Sequence, residues 1–234
     1  VSEILPVKRQ YFDELNLLST NISLISESFK SEIASKNAMF SLREGEFFDG
    51  SPKHDFLAHF NREGNQPEGF GKAGDDFLLG STGSDALFGD SGSDILIGGP
   101  KSDKLFGGVG DDDLQGDEGK DFLFGGPGND QLDGGMSDDN LSGGSGQDTF
   151  VYNGGHDVIR DFSFRRPNPV SEDIDILKTN FDLDDDSIEI ERPPNTGNTL
   201  LLTFDDNNSL KFANIPLAIF NQDDFIATLK DHLA

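Results

Sequence analysis

Aspartate recurs in this chain at every ninth residue beside glycine, and that spacing is where its chemistry lies. From Gly71 the sequence reads GKAGDDFLL, GSTGSDALF, GDSGSDILI, GGPKSDKLF, GGVGDDDLQ, GDEGKDFLF, GGPGNDQLD, GGMSDDNLS and GGSGQDTFV, ending at Val151. The first place is Gly in all nine nonamers, the sixth is Asp in all nine, and the eighth is Leu or Phe in all nine. A tenth, degenerate copy, YNGGHDVIR, keeps Asp157 and Ile159 in phase. Carboxylates beside glycines that turn backbone carbonyls together offer a cation nothing but oxygen. Calcium, with roughly six to eight oxygen ligands in a flexible cage, fits such a set, whereas magnesium demands stricter geometry and keeps its water. A flexible Gly/Asp linker would have no reason to keep the apolar eighth place.

These residues need particular elements to bring them together. The first six places read as a turn and the last three as a short strand, whose middle Leu or Phe enters the core. Two copies, 18 residues, make one coil of a repeat architecture. Stacked coils align the aspartates in two columns, Asp76, Asp94, Asp112, Asp130 and Asp148 on one side and Asp85, Asp103, Asp121, Asp139 and Asp157 on the other. Their spacing is that of neighbouring strands, about 4.8 Å. Carboxylates that far apart repel by roughly 0.9 kcal/mol in water and about 3.5 kcal/mol at an effective dielectric of ~20. A shared cation, also held by the backbone carbonyls of Gly71, Gly80, Gly89, Gly98, Gly107, Gly116, Gly125, Gly134 and Gly143, removes that repulsion. Asp111, Asp113 and Asp138 lie off the sixth place and read as solvated acids.

The nine copies resemble the RTX nonapeptide, G-G-x-G-x-D-x-U-x, of secreted bacterial proteins. The resemblance runs from Gly71 to Val151 and, through DTFVY…GHDVIRDF, on to about Phe162, a stretch similar to the end of such rolls in secreted hydrolases and epimerases. It implies a parallel β-roll with one calcium between adjacent turns, and pairing each turn with that 18 residues later gives about seven ions. It further implies an extracellular protein exported unfolded by a type I secretion machine and folded by calcium outside. Such a module would be the C-terminal part of a secreted protein; the alternatives are the tail of a protease, lipase or alginate-modifying epimerase, or an adhesin, with a catalytic or adhesive domain upstream. Some copies depart from the pattern. Lys72, Ser81, Asp90 and Asp117 replace the second glycine, and Lys101 and Ser137 the fourth. Non-glycine at a left-handed position costs about 1 kcal/mol, so the turns around Lys101 and Ser137 are expected to bind most weakly.

Around the repeats, the sequence predicts a predominantly all-β fold, a parallel β-roll of nine nonapeptide repeats with a helical N-terminal segment and a C-terminal β cap. Leu15, Leu18, Ile22, Ile25, Phe29 and Ile33 mark one face of a helix, and residues 46–70 read as a linker. The expected division is 1–70, 71–160 and 161–234. Strands are expected at Ile174–Leu177, Ile188–Ile190, Leu200–Phe204 and Leu210–Phe212, with a short helix from Gln222 to Ala234. The ninth place of alternate copies puts Phe88, Phe106 and Phe124 on one outer face, extended by Phe122, and the N-terminal helix is expected to lie along that ladder. The opposite face runs Leu79, Ile97, Gln115, Asp133 and Val151.

A net charge of −26 repels phosphate backbones, which argues against nucleic-acid binding. Cysteine is absent, so disulfides and thiolate zinc sites are excluded. No apolar run reaches the ~20 residues of a membrane span, and no signal peptide with a basic start and an apolar core is seen. His54 and His59 do not form H-E-x-x-H, no G-x-S-x-G occurs, and His156 and His232 lack evident partners. The motifs therefore point away from an enzyme.

Overall fold

The eighth-place residue is the seed of the fold, because a strand that buries one side chain from every nonamer gains a continuous core only when coils stack. A computed structural model describes residues 39–43, 47–50, 55–59, 68–163, 175–179, 189–191 and 199–213, and among these it is entirely strand and turn. The strands are β1 (Met39–Arg43), β2 (Phe47–Asp49), β3 (Asp55–His59), β4 (Glu68–Ala73), β5 (Phe77–Leu79) and β6 (Ala86–Ser91). Then follow β7 (Ile95–Pro100), β8 (Lys104–Val109), β9 (Asp113–Glu118), β10 (Phe122–Pro127), β11 (Gln131–Asp133) and β12 (Asn140–Ser145). The last are β13 (Thr149–Tyr152), β14 (His156–Ile159), β15 (Ile176–Thr179), β16 (Glu189–Glu191), β17 (Leu200–Asp205) and β18 (Asn208–Phe212).

Successive strands alternate between two sheets. Odd-numbered β1 to β15 form one, in sequence order, and the even-numbered strands β2 to β14 form the other, which continues through β18, β17 and β16. Pairing is parallel at an 18-residue step through the repeats, as in Phe122↔Asn140 and Gln131↔Thr149. This is a parallel β-roll. Between the sheets, the eighth-place residues Leu78, Leu87, Leu96, Leu105, Leu114, Leu123, Leu132, Leu141, Phe150 and Ile159 are at most 1% exposed. Many strands run to six residues rather than three, because the ladder continues through the next glycines, as in Gly126↔Gly144.

Two boundaries need correction. Part of the expected linker and the end of the expected helical segment are strands: β1 pairs with β3, β2 with β4 and β3 with β5, so the roll begins before Gly71. The edge strand of a growing sheet supplies ladder partners, and that context outweighs weak local preference. At the other end the expected strands form, and two of them continue the roll. β15 joins β13 and β18 joins β14, both parallel, before β17 and β16 turn antiparallel. The helices expected over 15–33 and 222–234 lie outside the described residues.

The outer ladder is present and shifted. Phe70, Phe88 and Phe106 stack at 4.8 and 4.9 Å, within 7° of parallel. Phe106 then meets Phe122 at 5.8 Å and a 48° tilt, while Phe124 is 38% exposed. Its expected helical cover lies outside the described residues.

Candidate metal centre

Each sixth-place Asp sits where the glycine-rich turn enters a strand, so the backbone fixes its carboxylate between coils. Asp76, Asp85, Asp94, Asp103, Asp112, Asp121, Asp130, Asp139, Asp148 and Asp157 are all buried, at 1–3% exposure. One carboxylate oxygen of each completes a ladder. In the first column the N–H groups of Asp76, Asp94, Asp112 and Asp130 donate to Oδ1 of Asp94, Asp112, Asp130 and Asp148 at 2.7–2.9 Å. In the second, Asp85, Asp103, Asp121 and Asp139 donate in the same way to Asp103, Asp121, Asp139 and Asp157 at 2.6–2.9 Å.

The other oxygen is treated differently. Oδ2 of Asp76, Asp103, Asp112, Asp121, Asp130, Asp139 and Asp157 is buried with no hydrogen-bond partner among the described residues. A buried carboxylate oxygen without a partner is costly unless a cation faces it. The glycine at the first place leaves room beside it. A Cβ on Gly71 would lie 2.5 Å from Oδ2 of Asp76 and 2.9 Å from the carbonyl oxygen of Gly89 in the next coil. On Gly116 it would lie 2.5 Å from Oδ2 of Asp121 and 2.7 Å from the Gly134 carbonyl. The carbonyls of Gly98, Gly107 and Gly143 approach the equivalent points at Gly80, Gly89 and Gly125. A carboxylate oxygen and a carbonyl oxygen thus converge on a cradle that any side chain would fill.

Burial dominates the electrostatics. It pushes the carboxyls of Asp76, Asp103, Asp112 and Asp157 up to about 8, those of Asp130 and Asp139 to about 7, and that of Asp121 to about 6. The amide bond from the preceding Asp pulls each back, and aspartates one coil away, such as Asp94 and Asp130 around Asp112, push further up. No group of three or more His, Cys, Asp or Glu side chains that could hold a metal occurs among the described residues. The oxygens on offer are therefore one carboxylate per turn with backbone carbonyls, which suits a hard ion such as calcium.

The turns share a backbone path. The second place has positive φ at Lys72, Asp90, Gly99, Gly108, Asp117, Gly126, Gly135 and Gly144, and Lys101 has φ 74° at a fourth place. Lys101 is exposed and holds the glycine-like conformation, so the departure expected there does not alter the turn. Two turns depart from this path: one lacks positive φ at Ser81 and Gly83, its second and fourth places, and the other at Ser137, a fourth place.

Several contributors escape a strict reading of the period. Asp55 and Asp175 extend the first column: the N–H of Asp55 donates to Asp76 Oδ1 at 2.6 Å, and that of Asp148 to Asp175 Oδ1 at 3.0 Å. Asp55 belongs to an out-of-phase copy, GSPKHDFLA from Gly50, with Gly, Asp and Leu in their places. Asp111 and Asp138, read as solvated acids, also accept from the backbone N–H of Asn129 and His156 in the next coil, at 2.8 and 3.1 Å, in bonds exposed to solvent. Asp113 accepts a long bond from Gln131, at 3.3 Å.

A parallel solenoid with carboxylate columns at its turns defines a class of repeat protein built around hard cations. A family model of the RTX calcium-binding nonapeptide repeat matches in overlapping sets at 70–105, 88–123, 97–132, 106–141 and 124–159. Residues 70–159 thus match the RTX calcium-binding nonapeptide repeat. A search of curated proteins finds no match to the chain.

Proposed function

We propose that this chain is the calcium-folded module of a secreted bacterial protein, its ions held between coils by the sixth-place aspartates and the first-place glycine carbonyls. The observation that carries the reading is the set of buried Oδ2 atoms facing side-chain-free cradles. About seven ions between the nine turns would take the net charge from −26 to −12. At low intracellular calcium the columns repel and the chain stays open for export by a type I machine. Outside, millimolar calcium meets sites of the extracellular kind, with Kd of about 10⁻⁴–10⁻³ M. Each site at a hundredfold excess over its Kd adds about 2.7 kcal/mol. The folding unit reaches beyond 71–160, since Asp55 and Asp175 continue its column.

Circular dichroism of the whole chain, first in chelator and then in millimolar calcium, tests the reading. The expected result is a disordered spectrum that becomes β-rich with calcium and responds poorly to magnesium. A spectrum that is β-rich in chelator and unchanged by calcium would overturn it.

A further inference from the structure

One turn of the roll answers its own carboxylate. In the nonamer from Gly80 to Phe88, the N–H of Ser81 donates to Oδ2 of Asp85 at 2.7 Å. The Ser81 hydroxyl reaches the same carboxylate at 3.0 Å to Oδ2 and 3.2 Å to Oδ1. The N–H of Gly83 in turn donates to the Ser81 hydroxyl oxygen at 2.9 Å. Ser81 is 7% exposed and Asp85 3%, so these bonds are made away from water.

The backbone follows. Positive φ occurs at the second place of the other eight nonamers but not at Ser81, and at the fourth place of seven, Lys101 among them, but not at Gly83 or Ser137. Asp85 Oδ2 still lies beside Gly80 and the Gly98 carbonyl, as in other turns, but here the amide and hydroxyl of Ser81 are aimed at it. Two donors aimed at one oxygen oppose a cation there, because each N–H or O–H dipole presents its positive end to the position the ion would take.

We infer that Ser81 takes the place of a calcium ion in the turn from Gly80 to Asp85. This rests on the calcium reading above and refines it. Of the seven turn pairs in the nine nonamers, the pair formed with the turn from Gly98 to Asp103 is closed by the chain itself, which leaves six for calcium. The replacement of glycine by serine at one second place thereby sets the stoichiometry, whereas Lys72, Asp90 and Asp117 at the same place keep the ion-compatible path.

Equilibrium dialysis of the full chain against radiolabelled calcium tests it. Ser81→Gly restores a regular GGTGSD turn and is expected to bind one more ion than the wild type. Asp85→Asn is expected to leave the wild-type number unchanged and to abolish the added ion when combined with Ser81→Gly. A wild-type number in Ser81→Gly, or the loss of an ion in Asp85→Asn alone, overturns this inference while leaving the proposed function intact. A wild type that binds no calcium overturns the proposed function and this inference with it.

Discussion

At the scale of a single residue, each repeat aspartate divides its labour between two oxygens. Oδ1 of Asp112 receives the N–H of Asp94, while Oδ2 faces the Gly107 cradle. Truncation of Asp112 or Asp121 to Ala therefore removes a proposed calcium ligand and also orphans a buried amide, a loss of about 1–3 kcal/mol apart from calcium. Both variants are expected to bind fewer ions and to fold at higher calcium, and Asp113→Ala is expected to behave as the wild type. Equal stoichiometry and folding midpoint in all three would contradict the assigned register. Protonation is the second consequence. The buried carboxyls sit at about 6 to 8 in the metal-free fold, against 3.8 in an open chain. Their folded values are raised, so the folded chain holds protons that the unfolded chain releases, and metal-free stability falls as pH climbs from about 4 to 8. The apo roll is expected to gain structure in mild acid, and calcium is expected to displace protons and bind more tightly as pH rises through 6 to 8. Calorimetric titration at pH 7 in buffers of different ionisation heat reads the released protons; identical enthalpies would dismiss the effect.

At the scale of the turn and strand, the first-place glycine and the left-handed second and fourth places set the limits on substitution. Gly116→Ala would place a methyl 2.5 Å from Oδ2 of Asp121, and is expected to cost both an ion and cooperativity in calcium-induced folding. Lys101→Gly relieves a non-glycine φ of 74°, and is expected to add about 1 kcal/mol to stability in denaturant titrations at saturating calcium. No gain would show that Lys101 is held without strain. The same elements explain what could be read in advance. The roll, its core and both aspartate columns were legible because one nine-residue rule governs the turn, ligand and buried residue together. β1 to β3 were not, since coils there step by 16 or 21 residues rather than 18 and break the phase that marks a repeat. Asp175 follows Asp148 by 27 residues and was hidden for the same reason. The role proposed for Ser81 depends on where its hydroxyl turns, which spacing does not encode.

At the scale of the whole molecule, charge and stacking act together: a chain at −26 becomes a stack of like-charged turns unless ions lie between them. The stack also has ends. Every regular coil presents its neighbour with the same hydrogen-bonding face at the same 18-residue register. Such a body is a template for one-dimensional growth, with the last coil of one molecule able to seed the first of the next, as in a fibril. The even sheet stops otherwise. Beyond β14 and β18 the strand direction reverses, and among the described residues the sheet ends on β16, three residues long, with the sequence Glu189-Ile190-Glu191. A short, acidic, antiparallel edge does not offer the parallel ladder that another coil would extend. Replacing Glu189 and Glu191 by Val is expected to promote calcium-dependent end-to-end association, visible by light scattering; variants that remain monomeric would show that the edge charges are not the barrier. In polymer terms, the antiparallel hairpin is a chain terminator for the even sheet, a stop in a sequence that could otherwise repeat without limit.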